Sequence, residues 1–396
     1  MKSSTKFIGL LLVASLWLPV LTQAQENGFK FTTVTDIKTT PVKDQQKTGT
    51  CWSFATTSFV ETELLRMNKG EFDLSEMYFA RYAYDGKADK YVRRSGTANF
   101  GEGGQAHDVL NVIRQHGFVT QAAFTGLAAE PIHNHAELDA ALKAYLDVVI
   151  KKKDGNITSV WKDVFNDMLD IYLGKIPTTF TVNNKSIDPV GFAKSTGFNP
   201  DDYVEITSYT HVPFYKQVMI DIPDNWSQDL YYNLPIDEMV EVIKSALKSG
   251  YSVCWDGDVS DRGFSHVNGV AIAPQNEFKP LEGTPERARW EIMSDKEKIS
   301  MLFANGPVPE KKVTQEDRQK SFDTQQTTDD HLMHFTGIVT DQNGTVYFKT
   351  KNSWNANSNK FGGYLNMSEA YVRLNTIAIL VHKNAIPKAI STKLGL

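Results

Sequence analysis

A change of pattern at Gly250 constrains this 396-residue chain more than any other feature. Before it, apolar residues recur at helical spacing. Phe54, Ala55, Phe59, Leu64 and Leu65 are candidate buried positions of a helix from Cys51 to Asn68, with Lys69-Gly70 as its stop. Ser75 is placed to cap a second helix, and a third is expected over His107–His116, broken at Gly117. Leu138, Ala141, Leu142, Tyr145, Leu146 and Val149 repeat in the same way, as do Trp161, Val164, Phe165, Met168, Leu169 and Tyr172. Residues 121–235 therefore read as a helical insertion, and 235–248 as one further amphipathic helix. After Gly250, Tyr251–Trp255, His266–Ile272, Phe335–Thr340, Thr345–Lys351 and Thr376–Val381 have the short, β-branched or aromatic makeup of strands. Helices first and strands later favour α+β over an alternating βαβ fold. The expected division is a mainly helical lobe over 25–250 and a mainly β lobe over 251–396.

Residues 1–24 read as a secretory signal. Lys2 and Lys6 form a positive end, Phe7 to Val20 is largely apolar, and Thr22-Gln23-Ala24 supplies small residues for cleavage before Gln25. The apolar run is shorter than the roughly 20 residues that span a bilayer, and nothing later is long and apolar enough to do so. The expectation is a soluble chain, secreted or periplasmic, with no membrane partner. Net charge is −5, and −7 once Lys2 and Lys6 are removed with the signal. Without a long basic block, nothing electrostatic points to a nucleic-acid partner. The only cysteines are Cys51 and Cys254, for which a disulfide would be the default in an oxidising compartment.

The surroundings of Cys51 argue for a free thiol instead. It follows Gly49 at the predicted first turn of a helix, where the positive end of the dipole favours thiolate. Alone, such a cysteine is weak evidence, because a small buried hydrophobe fits as well. A nucleophilic thiol needs an imidazole base, and Asp330-His331-Leu-Met-His334 offers two. Lys351-Asn352-Ser353-Trp354 ends a strand expected beside the histidines. An amide oxygen there could fix the imidazole's tautomer, and the Trp354 indole could shield that bond from water. His133-Asn-His135 has metal-like spacing but no companion ligands, so a surface loop is expected, with no metal and no cofactor. Cys254 reads as a buried thiol.

Gln45 through Cys51-Trp52-Ser-Phe54-Ala, then Asp330-His331, then Lys351-Asn352-Ser353-Trp354, in this order, resembles the papain superfamily of cysteine peptidases. The 280 residues between Cys51 and His331, with Gly103-Gly104-Gln105, Ser252–Ser260 and Gly363–Met367, resemble its bleomycin hydrolase and aminopeptidase C branch. The resemblance implies a two-lobe fold with the active site in the cleft and peptides as substrates. It implies Cys51 as nucleophile, His331 as base, Asn352 as its orienting residue and Gln45 as oxyanion donor with the Cys51 amide. Gln46 has the wrong spacing. Gly337, six residues after His331, selects His331 over His334, and Gly103 and Gly104 align with glycines whose backbone meets substrate.

The branch has no folded prosegment, and only 16 residues separate Ala24 from Pro41. The resemblance also implies aminopeptidase action, through a C-terminal arm whose carboxylate captures the substrate amine, and separately the possibility of an oligomer. Here the last predicted strand ends near Val381, and 386–396 resembles the helix before that arm, so the arm is expected to be absent or very short. Endopeptidase or oligopeptidase action stays open, as does a catalytically inactive, peptide-binding member of the fold.

Overall fold

The computed structural model describes residues 28–152, 156–275, 282–304 and 306–396, so the signal expected over 1–24 lies outside the described residues. Strand β1 (Thr32–Asp36) leads to helices α1 (Cys51–Arg66), α2 (Glu76–Arg93) and α3 (Ala106–His116). Their ends follow from local chemistry. Ser75 Oγ accepts from the Tyr78 amide at 3.1 Å to start α2, and Gln105 with Asp108 forms a reciprocal cap on α3. Gly117 ends α3 at φ +71°, where any side chain would also collide with the Pro189 carbonyl. Helices α4 (Ala136–Ile150) and α5 (Val160–Leu173) bury Leu138, Leu142, Leu146, Phe165, Leu169 and Leu173, an i, i+4 stripe on each.

The chain then departs from the helical insertion expected over 121–235. Strands β2 (Phe180–Val182) and β3 (Lys185–Ile187) form a hairpin, followed by α6 (Pro189–Thr196). Strands β4 (Tyr203–Thr207), β5 (Gln217–Val218) and β6 (Tyr231–Asn233) join the main sheet. Strands of two to five residues are too short to show a period-2 pattern. Helix α7 (Ile236–Lys248) follows, then β7 (Val253–Gly257), β8 (Phe264–Ser265) and β9 (Val270–Ala271). Helices α8 (Pro285–Ile292), α9 (Asp295–Ala304) and α10 (Gln315–Asp323) come next. The chain closes with β10 (His331–Thr340), β11 (Val346–Lys351), β12 (Tyr364–Ser368), α11 (Glu369–Asn375), β13 (Thr376–His382) and α12 (Lys388–Leu394).

The sheet runs β5-β6-β4-β13-β7-β10-β11-β12-β9-β8. The first half of β10 pairs with β7 and the second half with β1, so the stretch before Pro41 supplies a strand. Thr35 approaches so closely that its carbonyl would lie 2.3 Å from a Cβ on Gly337, which explains the glycine there. The fold is α+β, with α1 to α6 forming a helix-rich part and the main sheet carrying α7 to α12.

Helix α1 is the joint between the lobes. It is buried from Cys51 to Leu64, and β10 from His331 to Val339, because each packs against the other. Cys254 and Leu332 lie with the α1 core, whereas Trp255, Met333 and Phe335 pack with Met239, Val240 and Ile243 of α7 on the opposite face. Ion pairs lock α1 to the segment before it. Lys43 Nζ lies 3.0 Å from Glu61, 2.6 Å from Glu76 and 2.7 Å from Asp73. Burial works against the Lys43 charge, but Glu76 and Glu61 outweigh it and hold its pKa above the ordinary lysine range. Replacing Lys43 by Met leaves two buried carboxylates uncompensated. Lys43→Met is expected to destabilise the fold by about 3–5 kcal/mol, read as a lowered urea midpoint; a loss below about 1 kcal/mol would contradict the role given to this cluster.

Candidate active site

Cys51 is the first residue of α1, and the turn before it is held by side chains. Thr48 Oγ bonds Thr50 Oγ at 2.6 Å and donates to the Gln45 carbonyl at 2.9 Å. No hydrogen bond is found from the Cys51 amide among the described residues, as expected for a first-turn N–H of a helix. Both cysteines are free thiols, so the disulfide default does not hold. Cys254 is buried on β7, 3.6 Å from Thr56 Oγ.

Across the cleft, β10 begins at His331. Its Nε2 lies 2.8 Å from Asn352 Oδ1, just past the end of β11, and its ring lies 4.8 Å from the Trp354 ring. Asn352 Oδ1 also accepts from the Ser353 amide at 2.7 Å, which fixes it as the acceptor and places a proton on His331 Nε2. The lone pair of the neutral ring is then on Nδ1. Behind Asn352, its Nδ2 lies 3.3 Å from Nδ1 of His266, a ring that stands edge-on to Trp354 and bonds Ser358 Oγ at 2.7 Å. The sequence carried no signal for His266. His334 is elsewhere, buried against α1 with Nδ1 3.0 Å from Ser58 Oγ.

Gln45 lines the same cleft as Cys51 and His331. Its amide oxygen accepts from Ser353 Oγ at 2.7 Å, and its Nε2 donates to the Thr48 carbonyl at 2.8 Å, leaving one N–H of the amide free. Gln46 turns away at φ +55° and accepts from the His133 amide. Gly103 and Gly104 form the facing wall. A Cβ on Gly104 would lie 2.8 Å from the Asp108 carboxylate and 2.9 Å from the Trp52 ring, so packing requires glycine whatever binds there.

The electrostatics correct one expectation. The helix start was expected to favour thiolate, yet burial pushes the Cys51 thiol up to about 12. An N–H of Leu332 opposes that shift, while the carboxylates of Asp224, Asp256 and Asp329 add to it. Burial also holds His331 down at about 4, against its bond to Asn352. Both shifts favour a thiol beside a neutral imidazole, and no hydrogen bond joins the two side chains. His133 and His135 differ too: both are buried, His135 against Tyr84, rather than on a surface loop. Among the described residues no group of three or more metal-ligating side chains converges.

The model of the Peptidase C1-like family matches residues 18–273 and 308–395. The chain is 23% identical to Aminopeptidase W of Lactobacillus delbrueckii subsp. lactis, over 96% of this chain and 88% of that enzyme. It is 23% identical to bleomycin hydrolase of Mus musculus, over 88% of this chain and 82% of that one. The solved structure of PepW from Lactobacillus rhamnosis superposes with a TM-score of 0.70 at 18% identity, covering 92% of this chain and 84% of that one, a likeness of fold.

The packing around Gly104 gives a direct check. Gly104→Ala is expected to cost about 1–3 kcal/mol by denaturant unfolding, because Trp52 and Asp108 must move. A neutral result would mean that the glycine is not required by packing.

Proposed function

Because the chain belongs to the Peptidase C1-like family and is a cysteine-type peptidase, we propose that Cys51 is its nucleophile and His331 its base. Its branch of the papain superfamily is that of bleomycin hydrolase and aminopeptidase C. The observation that carries the assignment is the 2.8 Å bond between His331 and Asn352, on the cleft wall opposite Cys51. It leaves Nδ1 as the acceptor and holds the ring in place.

Cys51 starts as a thiol, so its proton passes to His331 as sulfur attacks the peptide carbonyl. The oxyanion takes the Cys51 amide and the free N–H of Gln45. His331 gives its proton to the leaving amine, which departs and leaves a thioester on Cys51. Water, losing a proton to His331, then cleaves the thioester and restores the thiol. The Trp354 ring, 4.8 Å from that of His331, is placed to shield the His331–Asn352 bond. The relatives' names support aminopeptidase action on peptides as the finer reading. Export belongs to the same proposal, on the strength of the sequence of residues 1–24.

Cys51→Ala is expected to lower turnover of a peptide substrate by at least about 10⁴-fold, and Asn352→Ala by about 10²-fold or more. Cys254→Ala should leave turnover largely intact, and comparable loss from both cysteines would refute the nucleophile assignment. Failure of a peptide-like, thiol-reactive epoxide to label Cys51 near neutral pH would point instead to an inactive, peptide-binding protein. For export, sequencing the secreted chain should find Gln25 at its start, and recovery of an intact Met1 terminus in the cytoplasm would sink that part.

A further inference from the structure

Between residues 273 and 308 the chain departs from its family and inserts α8 and α9. The two ends of the insertion are held together. The Lys311 amide donates to the Ala273 carbonyl at 2.8 Å, and the Gln275 amide to the Pro309 carbonyl at 2.9 Å. Helix α9 is anchored on the sheet, where Leu302 and Phe303 pack with Val270, Ile272 and Tyr347. Residues of α8, α9 and the turn 261–263 enclose a cavity of about 300 Å³, as large as the cleft at Cys51, which has about 280 Å³. That is room for a small organic ligand. Ile299, Leu302 and Leu374 give the cavity an apolar lining, and Trp290 adds an aromatic ring.

Its charge is one-sided. Three cations line it, Arg262, Lys298 and Lys311, against the single carboxylate of Asp261. Asp261 Oδ1 already accepts from the Gly263 amide at 2.7 Å. The nearby Glu310 is turned to the sheet, where Oε2 accepts from the Ala273 amide at 2.8 Å and from Ser368 Oγ. Lys298 Nζ lies 4.4 Å from the centre of the Trp290 ring, a cation–π contact that keeps its N–H donors available to an anion. Neither Lys298 nor Lys311 is paired with a carboxylate among the described residues.

We propose that this cavity binds an aryl or alkyl carboxylate, its anionic end on Lys298, Lys311 and Arg262 and its apolar body against Ile299, Leu302 and Trp290. A neutral ligand would leave the cations unanswered, and an inorganic anion would leave the apolar lining wet. Two sources offer this chemistry. One is a free carboxylate. The other is the C-terminal end of a peptide lying in the cleft, because Val259 lines the cleft and the turn 261–263, two residues on, lines the cavity. Only the second source rests on the peptidase reading above.

Calorimetric titration of the wild-type protein with 3-phenylpropionate and with its neutral amide tests the cavity without any turnover. The acid is expected to bind with a Kd on the order of 1 mM, about tenfold or more tighter than the amide. Lys298→Glu combined with Lys311→Glu should weaken that binding about tenfold or more, while Lys298→Arg with Lys311→Arg should retain it. Should the charge-reversed variant fail to fold, Lys311→Gln, on an exposed side chain, decides in its place. Equal binding of acid and amide, no saturable binding of the acid, or unchanged binding in the reversed variant overturns the site. A peptide ending in phenylalanine, as free acid and as C-terminal amide, identifies the source. A lower KM for the acid twin, lost in the reversed variant at unchanged kcat, together with competition by 3-phenylpropionate, assigns the cavity to the substrate's leaving end. Equal KM for the twins, with 3-phenylpropionate still bound, assigns it to a free carboxylate. Binding without turnover of either twin overturns the peptidase reading alone and likewise leaves a site for a free carboxylate.

Discussion

The packing of α1 on β10 is the contact on which the rest depends. One carries Cys51 at its start and the other His331 at its start, so their alignment sets the distance across the cleft. The contact carries a polar pair, Ser58 with His334, and Lys351 of β11 ties Ser58 to Thr40 beside it. Buried polar groups are stable only when hydrogen-bonded, so they fix one register of helix on strand where a purely apolar contact could slide. The Lys43 cluster adds the same constraint at the level of α2.

On that frame the two halves of the site differ in character. The imidazole side is rigid: Asn352, Ser353, His266 and Trp354 leave His331 one orientation. The other side combines an open helix start with glycines that cannot carry side chains and with the carboxylates of Asp224, between β5 and β6, and of Asp329 and Asp330, just before β10. Burial and the surrounding carboxylates push the Cys51 thiol up, so its ionisation depends on these neighbours as well as on the helix start.

Much of this was legible in the chain. The helical periodicities gave α1 to α5 within a few residues, because caps such as Ser75 and stops such as Gly117 are local signals. Strands β7, β10, β11 and β13 were visible as β-branched runs, since both faces of the central strands are buried. Strands β4 to β6 were missed inside the apparent insertion, where two to five residues show no period. The stretch over 266–272 shrank to β9 because His266 is held at Asn352 instead of in the sheet.

The sequence by itself determined the residues proposed as the reacting groups and their order, because local turns and strand ends set where a thiol, an imidazole and an amide sit along the chain. It could not determine their electrostatic setting. Asp224 and Asp329 are 105 residues apart, and only tertiary packing brings them to one cleft. Burial there reverses the ionisation that the helix start alone suggested for Cys51, because the cost of a charge depends on every neighbour that excludes water from it.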